Sequence, residues 1–311
     1  MEIRLGLSRP LRENGAVIGL QSRVGLGTAP LGSRVDGPLW WGPQDPADAV
    51  AAVRAALDAG VDWIDTAPFY GWGLAEELVG RAIAGRRDEV RILTKCGTVR
   101  RPDGRAADDA SPAAVRAGLR ESLRRLGTEH VDVLQVHDPD PTTPIEETWA
   151  AIAELVTEGL VRAGGLSNHP VELMERARGV APVAVVQHQY SVLHRSPETD
   201  GVLDWCAAHG SAFLAWSPLA SGFLTGGFDL AALAPGDLRH RLPWATQDLT
   251  GQLGRLAAVA ARHCVPAHRV ALAWATRRPG TYAIVGARTA AEAADLRPLP
   301  TLTPADVAAI A

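Results

Sequence analysis

Four side chains able to hold or move a proton follow one another along the chain. Asp65 lies in VDWIDTAPFYG, Tyr70 closes the same segment, Lys95 lies in RILTKCG and His137 in VDVLQVHDPD. Each stands at or just after an expected strand. An acid, a phenol, an ammonium and an imidazole that meet in one cavity suit proton transfer to a carbonyl oxygen. A free tyrosine, with a pKa near ~10, is a poor acid at neutral pH. A neighbouring Lys⁺ stabilises the phenolate and is expected to lower that pKa. Asp65 would hold Lys95 and balance its charge. His137 would donate a hydrogen bond to the substrate oxygen.

Lysine and arginine together number 31, and Lys95 is the only lysine among them. Arginine is charged at any useful pH and presents a planar fork, whereas a buried ammonium is compact and tunable. A lone lysine in an arginine background marks a position that arginine cannot fill. Cys96, next to it, points to the other face of the strand and reads as core.

The elements that must position these groups alternate along the whole length. Expected strands are Ser22–Thr28, Val61–Thr66, Val90–Lys95, Val131–His137, Arg162–Ser167, Val183–His188, Ala212–Trp216 and Thr281–Val285. Expected helices are Ala47–Ala59, Leu74–Ala84, Pro112–Leu126, Ile145–Glu158, Pro170–Arg178, Glu198–His209 and Leu249–His263. Asp45-Pro46, Ser111-Pro112 and Thr143-Pro144 supply helix starts, and Gly60, Gly127, Gly159 and Gly210 supply stops. Strand–helix alternation means a parallel sheet covered by helices. About eight repeats in a chain of this size fit a closed (β/α)8 TIM barrel, an α/β fold. Residues 1–311 read as a single domain, with no linker and no compositional break. The first twenty residues, with Asn14-Gly15 between apolar runs, read as an N-terminal β-hairpin that plugs one end. Three long loops, Gly32–Pro46, Gly97–Ser111 and Leu219–Thr250, follow strands and so belong to the catalytic face.

Other chemistries find little support. The net charge of −4 offers no basic surplus for nucleic acid or an anionic membrane. Cys96, Cys206 and Cys264 are far apart with no CxxC, so neither a disulfide framework nor a metal site is expected. No apolar run nears the ~20 residues of a membrane span, and the arginine-broken N-terminus lacks a signal-peptide core. A cytoplasmic protein is expected. Gly25-Leu26-Gly27-Thr28-Ala29-Pro30 begins like a Rossmann fingerprint but ends in proline. Ser217 lies in WSPLAS rather than in a GxSxG elbow.

The chain resembles the aldo-keto reductase superfamily from Leu26-Gly27-Thr28 to the region of Val285–Leu296. GVDWIDTAPFYGWGLAEELVG is similar to the signature around the family's acid and tyrosine, LTKCG to its lysine strand and LQVHDPD to its histidine strand. The HDPD wording and the GTAPLG start look most like the bacterial sugar 1-dehydrogenase branch (D-threo-aldose 1-dehydrogenase-like).

That resemblance implies an NAD(P)(H) site without a Rossmann fold, with Thr28 among its residues. GGLSNHP implicates Ser167 and Asn168 at the nicotinamide amide, and VVQHQYSVLHR adds Gln187. AWSPLASGFLTG puts Trp216 against the nicotinamide and Ser217, Leu219 and Ser221 at the phosphates. IVGARTAAEAADL implicates Gly286, Arg288 and Glu292 at the adenosine phosphate. The family commonly has Asn where Leu296 stands and Gln where Glu292 stands.

The expected activity is hydride transfer between a nicotinamide and a carbonyl or carbinol carbon of an aldehyde, ketone or sugar, with Tyr70 as general acid/base. Arg288 can hold a 2′-phosphate by paired hydrogen bonds, so NADP is expected ahead of NAD. Trp40, Trp41 and Trp72 are expected to wall the substrate pocket. Two rivals fit less well. A nucleotide-binding regulatory barrel with little turnover would not need the four groups intact. A glycosidase needs two flanking carboxylates, for which Asp65 and Asp138 could be named, but Lys95 would then be idle.

Overall fold

The structure, a computed structural model, describes residues 18–310. The strands are β1 Val24–Gly27, β2 Trp63–Asp65, β3 Arg91–Cys96, β4 Thr98–Arg100, β5 Ala106–Asp108, β6 Val131–Val136, β7 Val161–Ser167, β8 Val185–Gln189, β9 Ala212–Trp216 and β10 Thr281–Gly286. Eight of them close a parallel barrel in the order β1-β10-β9-β8-β7-β6-β3-β2. All eight expected strands are present, with ends shifted by at most two residues.

Alternation along the strands sorts side chains into two sets. Trp63, Leu93, Val133, Val185, Leu214 and Ile284 form one apolar cluster inside the ring. Their chain neighbours Ile64, Ile92, Leu134, Val186, Phe213, Ala215 and Val285 join the larger cluster beneath the helices. Trp63 fills the lower barrel because β1 gives way to it. A Cβ on Gly25 would lie 2.2 Å from the Trp63 ring. Two residues further along, the inward parity places Asp65, Lys95, Gln135, Gln187 and Trp216 above this apolar layer.

Two of the three expected helix caps form, while Thr143 caps nothing because Pro144 itself takes the cap position of Ile145–Thr157. Asp45 accepts from Ala47 N at 2.7 Å at the head of Pro46–Asp58. Ser111 caps Pro112–Leu126, which stops at Gly127 in the left-handed region. The expected helix Glu198–His209 is broken into Ser196–Thr199 and Val202–His209, because Gly201 adopts φ 84° between them. Helices Ala267–Ala275, Ala290–Ala294 and Pro304–Ile310, and the β4–β5 ribbon in the loop after β3, were not anticipated. The hairpin expected around Asn14-Gly15 lies outside the described residues. Of that segment Ile18 and Leu20 are described, and both are buried on the barrel's apolar interior.

Candidate active site

Asp65, Lys95, Tyr70 and His137 meet at the C-terminal end of β2, β3 and β6. Asp65 and Lys95 are each 1% exposed. The Lys95 ammonium uses all three of its donors there. It donates to Asp65 Oδ1 at 2.5 Å, to the Thr66 carbonyl at 3.0 Å and to the Tyr70 hydroxyl oxygen at 3.2 Å. Because the phenol oxygen accepts from Lys95, the phenol's own proton is free to point elsewhere. The His137 ring stands edge-on to Tyr70, with centroids 5.9 Å apart, and to Phe69 at 5.7 Å.

Burial disfavours the Lys95 charge, but Asp65 and Tyr70 outweigh it and hold the ammonium above its ordinary pKa. Burial also pushes the Tyr70 phenol above the usual tyrosine range. Lys95 pulls it down, as expected from the sequence, while Asp65 and Asp138 add to the rise. The net direction is therefore upward, opposite to the lowering anticipated, because desolvation of the phenolate wins over one ammonium. Burial and Lys95 together pull His137 down to about 3, so its imidazole is neutral at any ordinary pH.

Around this centre lie Gln135 and Phe69, which the sequence missed, and Asp138, which it named only for the glycosidase rival. Gln135 is fully buried and donates from Nε2 to Asp65 Oδ2 at 3.0 Å. It shares the inward parity of His137 two residues later, which is the signal that could have found it. Phe69 packs edge-on against Trp72 with centroids 5.5 Å apart. Asp138 accepts from Asn168 Nδ2 at 2.8 Å, and burial raises its pKa.

The expected nicotinamide contacts cluster on the ends of β7, β8 and β9. Ser167 closes β7, and Asn168 follows at φ 60°. Asn168 donates to Asp138 and to the His137 carbonyl, and its Oδ1 accepts from Trp216 Nε1 at 3.0 Å. The Trp216 indole is thus fixed at its polar edge and stays half-buried. Gln187 Nε2 donates to Asp65 Oδ2 at 2.8 Å and to Gln135 Oε1 at 3.0 Å. Its Oε1 accepts no hydrogen bond among the described residues, so it remains available to a carboxamide NH2. These groups fit a nicotinamide ring and its amide.

After β9 the chain turns through left-handed backbone at Ser217, Ala220 and Ser221, with the two serine hydroxyls 3.1 Å apart. Leu219, between them, packs against the main core. Beyond Gly286, at the end of β10, Arg288 donates to Gln44 Oε1 at 2.9 Å and to the Pro43 carbonyl. Arg239 lies close enough for its charge, after burial, to lower the Arg288 pKa. Glu292 turns back onto its own helix start, accepting from Arg288 N at 2.7 Å and Thr289 N at 3.2 Å.

Two expectations need adjusting. Thr28 is wholly buried and its hydroxyl donates to the Asp65 carbonyl at 3.1 Å, so it braces β1 against β2 and presents no surface to a ligand. The three tryptophans do not form one wall. Trp72 joins Phe69 beside His137, with Arg100 of β4 over its ring at 5.5 Å. Trp41 instead carries Arg239 over its ring at 5.5 Å. Trp40 accepts at its carbonyl from Leu238 N at 2.8 Å. Both therefore join the loop after β1 to the loop after β9, on the Arg288 side.

Among the described residues no group of three or more His, Cys, Asp or Glu could hold a metal ion. No helix among them is long and apolar enough to cross a membrane.

Known proteins share this architecture. The chain is 36% identical over 278 residues to "Aldo-keto reductase YhdN" of Bacillus subtilis (strain 168), covering 86% of this chain and 81% of that one. It is 31% identical to the "NADH-specific methylglyoxal reductase" of Escherichia coli (strain K12), covering 87% of each. The glycerol dehydrogenase AKR11B4 from Gluconobacter oxydans superposes with a TM-score of 0.84 at 32% identity, over 93% of this chain and 90% of that one. An aldo/keto reductase from Klebsiella pneumoniae in complex with NADP and acetate superposes with a TM-score of 0.72 at 30% identity, over 93% and 89%. Residues 23–310 match the Aldo/keto reductase family, and with this barrel and these likenesses the chain belongs to that family of oxidoreductases.

Proposed function

We propose that this chain catalyses reversible carbonyl reduction on a small aldehyde, ketone or sugar, with Tyr70 as the general acid/base. The observation that carries the reading is the threefold donation of Lys95 Nζ to Asp65, Thr66 and Tyr70. A bound nicotinamide dinucleotide supplies the hydride in reduction and accepts it in oxidation. Tyr70 gives its outward proton to the carbonyl oxygen in reduction and takes it back from the carbinol in oxidation. The phenolate left after reduction keeps the Lys95 hydrogen bond and faces a full positive charge. Neutral His137 donates a ring N–H to the same substrate oxygen and holds it in line. Phe69 and Trp72 exclude water from that oxygen on one side.

Ser167, Asn168 and Gln187 would hold the nicotinamide amide, and Trp216 would pack on the ring. Ser217, Leu219 and Ser221 would take the phosphates, with Gly286 and Arg288 at the adenosine end. NADP(H) is the preferred cofactor in this reading. Burial, and after it the Arg239 charge, disfavours the Arg288 cation while Asp237 and Glu292 favour it, and a 2′-phosphate on the Arg288 fork would add a further compensating charge. NAD(H) is the second reading, favoured by Glu292, whose carboxylate accepts from the Arg288 and Thr289 backbone N–H groups and so sets a negative charge beside Arg288. The relatives divide the same way, one named for NADH and one seen with NADP. The HDPD segment and a glycerol dehydrogenase neighbour support polyhydroxylated substrates. The chain works as a single barrel domain in this reading.

The test is a screen of aldehydes, ketones, polyols and free sugars against NADPH and NADH absorbance, for wild type and Tyr70→Phe. Turnover that disappears in Tyr70→Phe is the expected result. Turnover of no substrate with either cofactor would leave the regulatory-barrel reading in its place.

A further inference from the structure

The Asp65 carboxylate has two oxygens, and Lys95 occupies only Oδ1. Oδ2 accepts from two buried amides, Gln135 Nε2 at 3.0 Å and Gln187 Nε2 at 2.8 Å. The two amides are also joined, Gln187 Nε2 donating to Gln135 Oε1 at 3.0 Å. All four side chains are at most 2% exposed, so no water competes.

We propose that Gln135 is a positioning residue that sets the direction of the Gln187 amide and fixes the Asp65 carboxylate under Lys95. This rests on the reading of Gln187 as a nicotinamide contact. The charge on Asp65 forces both amides to face it with NH2, since a reversed amide would set a carbonyl oxygen against a carboxylate oxygen. One Gln187 hydrogen then goes to Asp65, and Gln135 Oε1 takes the other. Gln187 can therefore show only its Oε1 to a ligand, and that acceptor matches a carboxamide NH2. Without Gln135 Oε1, the second Gln187 hydrogen has no buried partner and the amide is free to rotate. The barrel makes room for this pair at Gly165. A Cβ there would lie 2.8 Å from Gln135 Cγ and 3.1 Å from Val185 Cβ.

Two variants test the proposal. Gln135→Met keeps the length of the side chain but removes both hydrogen bonds. Its affinity for the dinucleotide is expected to fall about tenfold, roughly one lost hydrogen bond. Affinity for ADP-ribose, or its 2′-phosphate form, which lacks the nicotinamide, is expected to stay within about twofold. Gln135→Glu restores both bonds only while the introduced carboxyl keeps its proton. Once that introduced carboxyl loses its proton, two carboxylates would face each other at close range. The ratio of its kcat to that of wild type is expected to drop about tenfold as pH rises from about 6 to about 9.

Equal affinity losses for dinucleotide and ADP-ribose in Gln135→Met would overturn the proposal, because the damage would then be general. So would unchanged affinities together with a flat Gln135→Glu ratio. If Gln135→Met does not fold, the Gln135→Glu ratio alone decides. Wild type that turns over substrate while either overturning result holds would sink this inference and leave the proposed function standing. Wild type that binds no dinucleotide would sink both.

Discussion

Lys95 Nζ donates to the Tyr70 hydroxyl oxygen at 3.2 Å, and its remaining two donors are fixed on Asp65 and the Thr66 carbonyl. No donor is left over, and no rotation of the ammonium can improve one bond without weakening another. A guanidinium is larger and holds its donors in one plane. Lys95→Arg is therefore expected to lose at least ~10² in kcat, within the range contributed by general acid catalysis. Lys95→Met should lose as much, and should also lose on the order of 3 kcal/mol of stability from the unpaired Asp65. Near-normal kcat in folded Lys95→Arg would show that the lone lysine is an accident of composition.

Carbonyl reduction by wild type should hold its rate into alkaline pH. The working form of Tyr70 is the protonated phenol, and burial holds its pKa above the ordinary tyrosine value. Activity then falls only as pH rises through that elevated pKa. His137 stays neutral down to about 3, so no inflection near pH 6.5 should come from it. A kcat profile in the reducing direction that breaks between pH 6 and 7, and loses that break in His137→Asn, would contradict this.

Acid should destabilise the fold partly through His169. Its ring is fully buried, Nδ1 faces the Ser167 carbonyl at 2.6 Å, and Nε2 has no partner among the described residues. Burial lowers its pKa from 6.5 to about 4. The unfolded chain binds a proton here below pH 6.5 while the folded chain does not, so stability is lost as pH falls from about 6.5 towards 4. The full contribution is ~3 kcal/mol. His169→Phe should show a shallower fall in urea-derived stability between pH 7 and 4.5. Parallel curves for the two proteins would remove His169 from the acid response.

Arg288→Ala should weaken NADPH binding by tenfold or more and NADH binding far less. The variant also frees the Gly42–Gln44 segment, which Arg288 ties to the end of β10. Titration of both cofactors separates the effects. Equal losses would assign Arg288 to loop anchoring alone.

Trp216 should report cofactor binding. Its indole is held by Asn168 Oδ1 at 3.0 Å and remains half-buried at the site. Dinucleotide binding should quench part of the tryptophan emission, and Trp216→Tyr should remove that part. An identical quench in wild type and variant would place the indole away from the nicotinamide.

The barrel was legible in the sequence because each strand is a short aliphatic run closed by chemistry-bearing residues. Asp65, Lys95 and His137 stood out as polar groups ending such runs. Gln135 did not, since one amide inside VDVLQVH looks like ordinary strand variation until its parity with His137 is followed inward. The helix Ala267–Ala275 escaped because it is short, its run from Val270 to Ala275 is buried throughout, and no capping side chain marks its start. The partition of the tryptophans was also hidden. Trp40 and Trp41 meet Leu238 and Arg239, almost two hundred residues away, across a loop pairing that no local pattern encodes.

The burial of Lys95 has a practical side. Every primary amine on a side chain of this protein is that one group, 1% exposed and with each of its hydrogens engaged. An acylating reagent should find no lysine side chain to modify on the surface of the folded molecule. Label that does arrive at Lys95 must have entered while the barrel was open. The rate of its acylation therefore becomes a clock for opening of the core, readable by mass without introducing any dye or probe.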